Sequence, residues 1–528
     1  MQIRKYDVII VGLGPVGAAL ALLLGREGLE VAVFEQSEDI YDKPRAIVLD
    51  HEALRILQFC GVAPSFFDTL MPHTGTNFLG VNGQLIKLFD PQSPPYPLGW
   101  PPTVMFIQPE LERTLRASLN EYPNIDVKLG ATVSDLAQNE SGVYATIESM
   151  HGATRYEVEA DWLVGCDGAN SFVRRSAGIT LDDAEFDEWW VVVDAWLKGS
   201  AELPEKTTQY CWPSRPATFV KGARNHRRWE IKLLPHEDPE IFRDQKKLVE
   251  VLANYVEVDS LEIWRSAVYR FHAVVASTWQ HNRIFVAGDA AHQMPPFLGQ
   301  GLCAGLRDVA NLAWKLVQVT RYGASMNLLT AYQTERRPHV ETVIQHAKAF
   351  GLIIGELDLH RATTRDEELE RALRNGTMNT VRQRFIPDLT TGLIAPGDPT
   401  AGTLFVQPDV LDAQHNVVRF DDLVPPRFLI VAGDETPHSW LEGDEAAAWF
   451  KAGGLFVSIG IAGRSNNQIA CCGTLAFEEI GARFRDWLTS AGASVAIIRP
   501  DRYVYGTARN ANELRCMLNS LLTACDGV

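Results

Sequence analysis

Three observations predict a mixed α/β and α+β protein organised around a nucleotide-binding unit. The chain opens with a short β-branched run, a glycine-rich turn and an Ala/Leu-rich helix. Its middle third is dense in β-branched and aromatic residues. Its last part alternates strand-like and helix-like segments. At roughly 100–200 residues per domain, 528 residues suggest two to four domains.

Composition narrows the function classes. With 46% apolar and 22% charged residues the chain is of ordinary globular type, which excludes disorder, collagen and a disulfide-stapled miniprotein. A net charge of −17 argues against a nucleic-acid partner and disfavours anionic membranes, yet it permits an anionic substrate in a local basic pocket. Eight cysteines, at 60, 166, 211, 303, 471, 472, 516 and 525, form no CxxC pair and no zinc spacing, as expected of a reducing cytosol. No metal-ligand cluster is evident. Arg4 and Lys5 before the apolar run Val8–Leu24 imitate a signal peptide, but Gly12, Gly14, Pro15 and Gly17 interrupt it. No other stretch suits a bilayer span, so the expectation is a soluble cytoplasmic protein.

The first element is the strand Val8-Ile9-Ile10-Val11, apolar throughout as a strand covered on both faces must be. Gly12-Leu13-Gly14-Pro15-Val16-Gly17 follows, then a helix over Ala18–Glu27 and a strand over Leu29–Phe34 that ends in Glu35. In this GxGxxG arrangement Gly12 permits the tight turn, Gly14 admits a pyrophosphate to the backbone, and Gly17 lets helix and strand pack closely. The helix N-terminus offers free N–H groups to phosphate. Glu35, 21 residues after Gly14, suits a ribose diol. The motif predicts nucleotide binding without separating NAD from FAD.

Two later segments decide the cofactor. Trp162–Cys166 reads as a strand ending in Asp167-Gly168, and Arg283–Ala287 as another ending in Gly288-Asp289. Pro295-Pro296 and Gly299-Gln300-Gly301 come next. Leu302, Leu306, Val309, Ala313, Leu316 and Val317 then recur at helical spacing, predicting a long helix from about Gly301.

The three motifs in this order resemble the FAD-dependent aromatic hydroxylases, the single-component flavoprotein monooxygenases of the para-hydroxybenzoate and phenol hydroxylase kind. The phrases Arg228–Pro235, Ala267–Ala273 and Gly299–Asp308 are similar to the 3-(3-hydroxyphenyl)propionate hydroxylase group. The resemblance implies a Rossmann-like FAD-binding domain, an inserted β-sheet substrate domain and a C-terminal thioredoxin-like domain. It places Glu35 on the adenosine ribose, Arg45 toward the FAD phosphates, Gln108 near the ribityl chain and Asp289 on the ribityl or pyrophosphate part. Asp167 and Gly168 belong to a motif shared between FAD and the pyridine nucleotide. Pro295, Gly299, Gln300, Gly301 and Leu302 should pass the isoalloxazine ring, where a helix N-terminus stabilises the negative charge of reduced flavin.

The implied cycle uses NADH or NADPH to reduce FAD and adds O₂ at flavin C4a. One oxygen then goes to an electron-rich aromatic small molecule and the other leaves as water. A phenol needs a base near its hydroxyl. His292 and Tyr269 are the candidates, although a packed or cofactor-supporting histidine is the plainer reading of His292. Cys303 reads as a small core residue, and Arg307 with Asp308 as a solvated or ion-paired helix face. The cluster Arg224, Arg227 and Arg228 reads as an exposed hairpin end or as a site for a nicotinamide phosphate or an acidic substrate.

The domain reading assigns 1–72, 103–180 and 270–390 to the FAD-binding domain, 73–102 and 181–269 to the substrate sheet, and 395–528 to the C-terminal domain. In the middle sheet most of Trp190, Tyr210, Trp212, Phe219 and Tyr269 should be core, with one or two facing substrate. Pro91–Pro97 is a loop and Ala395–Pro399 a linker. Beyond it, strands are expected at Phe428–Val431, Leu455–Ile459 and Val495–Ile498, and helices at Asp444–Phe450 and Phe477–Ala491. Cys471-Cys472 is unsuited to dithiol chemistry, so this domain reads as structural or as support for a homodimer. The rivals are a monooxygenase of a heteroaromatic or polyketide phenol, a flavin reductase or oxidase without oxygen transfer, and a noncatalytic flavoprotein scaffold.

Overall fold

The computed structural model describes residues 4–149, 154–433, 437–461 and 473–526. Its first layer is a sheet centred on Lys5–Val11, which pairs in parallel with Val31–Glu35 on one side and Arg155–Gly165 on the other. Ile125–Leu129 and Ile284–Val286 extend it in parallel. Val8, Ile9 and Ile10 have no solvent exposure, which explains their unbroken apolar character. Helix Pro15–Arg26 packs against helix Gly301–Tyr322 at Gly305, where a Cβ would sit 2.7 Å from Val16 Cγ2 and 3.2 Å from the Gly288 Cα.

The second layer is an eight-stranded sheet in the order His292–Gln293, Leu261–Ala276, Leu181–Leu197, His226–Lys232, Ala217–Lys221, Thr207–Tyr210, Thr76–Leu79 and Leu85–Phe89. Its neighbours are antiparallel except where Thr207–Tyr210 pairs in parallel with Thr76–Leu79, joining two distant stretches of chain. Alternation divides its faces. Val191, Val193, Phe219, Trp229 and Ile231 enter an apolar core capped by Leu248, Val251 and Leu252 of helix Gln245–Leu252. The other face looks toward the first layer. Strand Leu261–Ala276 runs unbroken through position 269/270, where the sequence reading sets a domain boundary. Its pairing with Leu181–Leu197 continues to Leu181↔Ala276, so hydrogen bonding, not the domain change, sets its length.

The C-terminal unit is a seven-stranded mixed sheet. Leu429–Ala432, Leu455–Ile461 and Thr474–Ile480 are parallel, with Val495–Ile498 and Val504–Ala508 antiparallel at one side. The helix expected over 477–491 is corrected: Phe477–Ile480 ends a strand, Gly481 turns the chain at φ +91°, and the helix is Arg483–Ser490. Pairing of Phe477 with Ile459 overrides the local helical pattern, and Glu479 accepts a bond from the Phe484 N–H at 2.7 Å at the start of that helix. Cys471-Cys472 lies outside the described residues.

This unit is locked to the rest by buried charge. Glu335 of helix Thr330–Gly355 accepts from both terminal nitrogens of Arg499 at 2.8 and 2.9 Å and from Lys315 at 2.8 Å, all without exposure. Among the described residues no helix is long and apolar enough to cross a membrane.

Candidate active site

A cavity of about 410 Å³ lies between the loops of the first layer and the inner face of the second. One wall is mostly backbone. Gly12, at φ +98°, has no room for a Cβ, which would meet the Cys166 carbonyl oxygen at 2.5 Å; a Cβ on Gly17 would meet the Gly12 carbonyl oxygen at 2.0 Å. Gly14, Gly168 and Gly301 are the opposite case. A Cβ on any of them meets nothing within 4 Å, and all three line the cavity. Gly14 is also the N-cap of helix Pro15–Arg26, and no side chain caps that end. Glu35 closes the turn, accepting from the Leu13 and Ser37 N–H groups at 2.8 Å each.

Asp289, after Gly288 at φ +60°, lines the cavity beside Arg45. Protein surrounds its carboxyl and pushes its pKa up, while the cavity leaves it open to water; among the described residues it accepts no hydrogen bond. The Arg45 loop is gripped from both sides. Gln108 Oε1 accepts from the N–H groups of Arg45 and Ala46 at 3.1 and 2.6 Å, while Arg228 and Arg265 donate to the carbonyls of Arg45 and Pro44 at 2.8 and 2.6 Å. Leu302 and Gly299, at φ +56°, also line this wall. Glycine cradles, an uncapped helix N-terminus, an unpartnered carboxylate and a loop arginine together fit FAD.

Other expected residues stand differently. Asp167 does not line the cavity; its carboxylate accepts from the Ser171 hydroxyl at 2.5 Å and the Val173 N–H at 3.0 Å, fixing the start of helix Phe172–Ser176. Gln300 is buried and accepts from Arg307 at 2.9 Å, and Pro295 caps the single turn Pro296–Leu298. His292 is corrected as a base: its Nε2 bonds Asp308 at 2.6 Å, its ring stacks on Trp279, and it lies off the cavity. Tyr269 does line the cavity, with the Arg265 guanidinium 5.2 Å from its ring centre. Trp190, Tyr210 and Phe219 are core, and Trp212 packs against it.

The charge readings resolve as well. Arg307 and Asp308 are ion-paired but not solvated, since their helix is packed on several sides. Arg307 pairs with Asp50 at 2.5 Å and with Glu52, and Asp308 with Arg336 at 3.0 Å. Burial raises the Cys303 thiol pKa, in keeping with a core residue. Arg224 is the exposed hairpin end, at φ +53° and paired to Glu110, whereas Arg228 is buried against Asp194 at 2.7 Å.

The second wall is made of side chains. In His226–Lys232, Trp229 and Ile231 face the apolar core, so Arg228 and Glu230 face the cavity. Glu230 lies in a cross-strand row with Val192, Thr218 and Gln209. Burial pushes its carboxyl up to about 7 against the opposing pull of Arg228, 3.8 Å away. His73 is held down to about 3 by burial; its Nδ1 accepts from the Gly75 N–H, leaving Nε2–H for the Thr207 hydroxyl at 3.2 Å. Arg382 donates to the Leu298 carbonyl, and among the described residues no carboxylate pairs with it. Glu230, Arg265, Arg382 and His73 were not legible as site residues. Strand alternation carries the signal for Glu230; the others have no local pattern.

Residues 5–347 match the family model described as FAD binding domain, and residues 402–524 match the HcaD C-terminal domain. The chain is 35% identical over 515 residues to 3-(3-hydroxy-phenyl)propionate/3-hydroxycinnamic acid hydroxylase 2 of Burkholderia vietnamiensis (strain G4 / LMG 22486), covering 95% of this chain and 93% of that one. It is 35% identical over 528 residues to the "Probable NADH-specific resorcinol 4-hydroxylase" of Rhodococcus jostii (strain RHA1), covering 99% and 95%. Among solved structures, OxyS anhydrotetracycline hydroxylase from Streptomyces rimosus superposes with a TM-score of 0.78 at 22% identity, covering 99% and 100%. The flavin-dependent monooxygenase PieE gives 0.77 at 20%, covering 98% and 99%.

Proposed function

The chain belongs to the FAD-dependent aromatic hydroxylases, flavoprotein monooxygenases that draw on NAD(P)H, and from that premise we propose that its substrate is a phenol bearing a carboxylate side chain. The observation that carries this reading is Arg382. It lines the cavity and, with His73 and Phe89, also a small neighbouring recess, and no carboxylate of the described chain pairs with it. His73 is neutral there at working pH, so the guanidinium is the permanent charge at that end. A substrate carboxylate would satisfy it through charge-assisted bonds. The name of the Burkholderia vietnamiensis relative, a hydroxylase of 3-(3-hydroxyphenyl)propionate, agrees with this chemistry.

FAD, when bound, supplies electron transfer from the nicotinamide and activation of O₂. The protein's own groups do the rest. The Gly14, Gly168 and Gly301 backbone would admit the cofactor, Asp289 would accept from its hydroxyl groups, and Arg45 would offer charge to its phosphates. Gln108, Arg228 and Arg265 keep the Arg45 loop in place. Phe271, Phe297 and Tyr269 supply apolar wall that excludes water around the reacting ring. The cytoplasm is the proposed setting; the six described cysteines are all free thiols.

Aerobic NADH and NADPH consumption by FAD-loaded protein tests the reading, with 3-(3-hydroxyphenyl)propionate, resorcinol and unsubstituted phenol compared. Product mass and peroxide are measured together. The acidic phenol should accelerate consumption and gain one oxygen at the highest kcat/KM. Preference for resorcinol would overturn the carboxylate reading, and peroxide as sole product would overturn oxygen transfer to that phenol.

A further inference from the structure

Resting on the reading that a phenol occupies this cavity, we infer that Glu230 is the base that takes the phenol proton. Neither His292, which lies off the cavity with its Nε2 on Asp308, nor neutral His73, whose two ring nitrogens meet the Gly75 N–H and the Thr207 hydroxyl, is placed for the task. Glu230 is 6% exposed, lines the cavity and accepts no hydrogen bond among the described residues. Its row neighbours leave it so: Val192 offers no donor, and the Thr218 hydroxyl donates to Gln209 instead. A buried carboxylate with an unspent acceptor facing a cavity is a place for a ligand's donor.

The surrounding charges set its strength. Arg228 comes from its own strand and Asp194 from the neighbouring one. Arg265 and Tyr269 lie on Leu261–Ala276, and Arg45, Asp289, His73 and Arg382 line the rest of the cavity. Burial dominates and brings the carboxyl to about 7, nearer a phenol's own range than an exposed carboxylate is. The balance is simple. The O–H bond of the phenol breaks as an O–H bond to Glu230 forms, the electron pair stays on the phenol oxygen, and the ring becomes a better donor toward oxygen. When the hydroxylated ring regains aromaticity, its C–H bond at the new C–O carbon breaks and that proton goes to the second oxygen, which leaves as water. Glu230 returns its own proton to the phenol oxygen and ends as it began.

The test uses whichever phenol the FAD-loaded wild type hydroxylates; if it hydroxylates none, the functional reading fails and not this one. Glu230→Gln should lower kcat by about 10²–10⁴-fold while flavin absorbance and the FAD:protein ratio stay at wild-type values. A ring-fluorinated analogue already ionised at the assay pH should shrink that wild-type-to-variant ratio at least tenfold, which a merely structural carboxylate would not do. Independently of any variant, wild-type kcat should fall as pH drops through about 7. Glu230→Asp should keep that acidic limb at reduced rate. An unchanged kcat in Glu230→Gln, an equal penalty for both phenols, or a flat wild-type profile between pH 5.5 and 8 would each overturn the assignment.

Discussion

The two walls of the cavity are built on opposite plans. The wall we assign to the cofactor works by omission: at Gly14, Gly168 and Gly301 the missing side chain leaves the cavity open, and at Gly12 and Gly17 it is a packing necessity. The sheet wall works by placement, with Arg228 and Glu230 inward because Trp229 and Ile231 must go outward. A wall of backbone tolerates almost no substitution, since any Cβ enters either protein or ligand. A wall of alternating side chains can change its chemistry one residue at a time without losing its support, which lies on the other face.

Neighbouring residues on one strand sharpen that contrast most. Trp229→Ala should destabilise the fold by about 3–5 kcal/mol through cavity formation in the outer core, measured by denaturant unfolding of the holoenzyme. It should leave the preference among phenols as in wild type. Glu230→Gln should do the reverse. Because the folded carboxyl is raised to about 7, ionised Glu230 opposes folding above that pH. The opposition is absent below the unfolded value near 4.3 and grows between the two. The variant should therefore be more stable than wild type by about 3 kcal/mol at pH 8 and no different at pH 4, read from unfolding curves at both. Equal stability at pH 8 would break the comparison, since the inward face would then carry no strain of function.

On the other wall, Gly17→Ala should cost about 1–3 kcal/mol and weaken FAD retention, because the new methyl meets backbone that must shift; calorimetry and cofactor titration check both. Arg382→Ala is the smallest effect. It should raise KM about tenfold for an acidic phenol, or about 1.4 kcal/mol, and leave KM for a neutral phenol unchanged. A similar rise for both phenols would make Arg382 a support for the Leu298 carbonyl and nothing more.

The same contrast explains what the sequence could say. Gly12, Gly14, Gly17 and Glu35 sit within one strand–turn–helix–strand unit whose spacing has a local physical meaning, so that wall is readable from a short stretch. Glu230 lies in the phrase Arg228–Pro235, which carries a family likeness and no role; its role depends on which face of a strand it takes and on Thr218 spending its hydroxyl elsewhere. Arg382 comes from a single 3₁₀ turn, Arg382–Phe385, far along the chain, and nothing local marks it. His292 shows the converse. Its place in the Gly288–Pro296 segment makes it a candidate base beside the plainer reading of a packed histidine, and its bond to Asp308, one helix away, and its stacking on Trp279 agree with the packed one. Arg307 and Asp308 read as a solvated or an ion-paired helix face, two alternatives that adjacent opposite charges on a helix do not separate, and the ion-paired one holds. Here Asp50, Glu52 and Arg336 meet them in the interior.

Glu335 bears on how such a protein can be recombined. Its carboxyl, held well below the usual range by Arg499 and Lys315, belongs to one part of the chain and its stronger partner to another. A chimera that grafts a foreign C-terminal sheet inherits that carboxylate and must bring a guanidinium to the same depth. Without it, the buried carboxylate keeps Lys315 as its cationic partner beside neutral bonds from Asn311 and the Leu393 N–H. The last 130 or so residues are thus not an interchangeable cassette: they and the helix Thr330–Gly355 have to be exchanged as one heritable block.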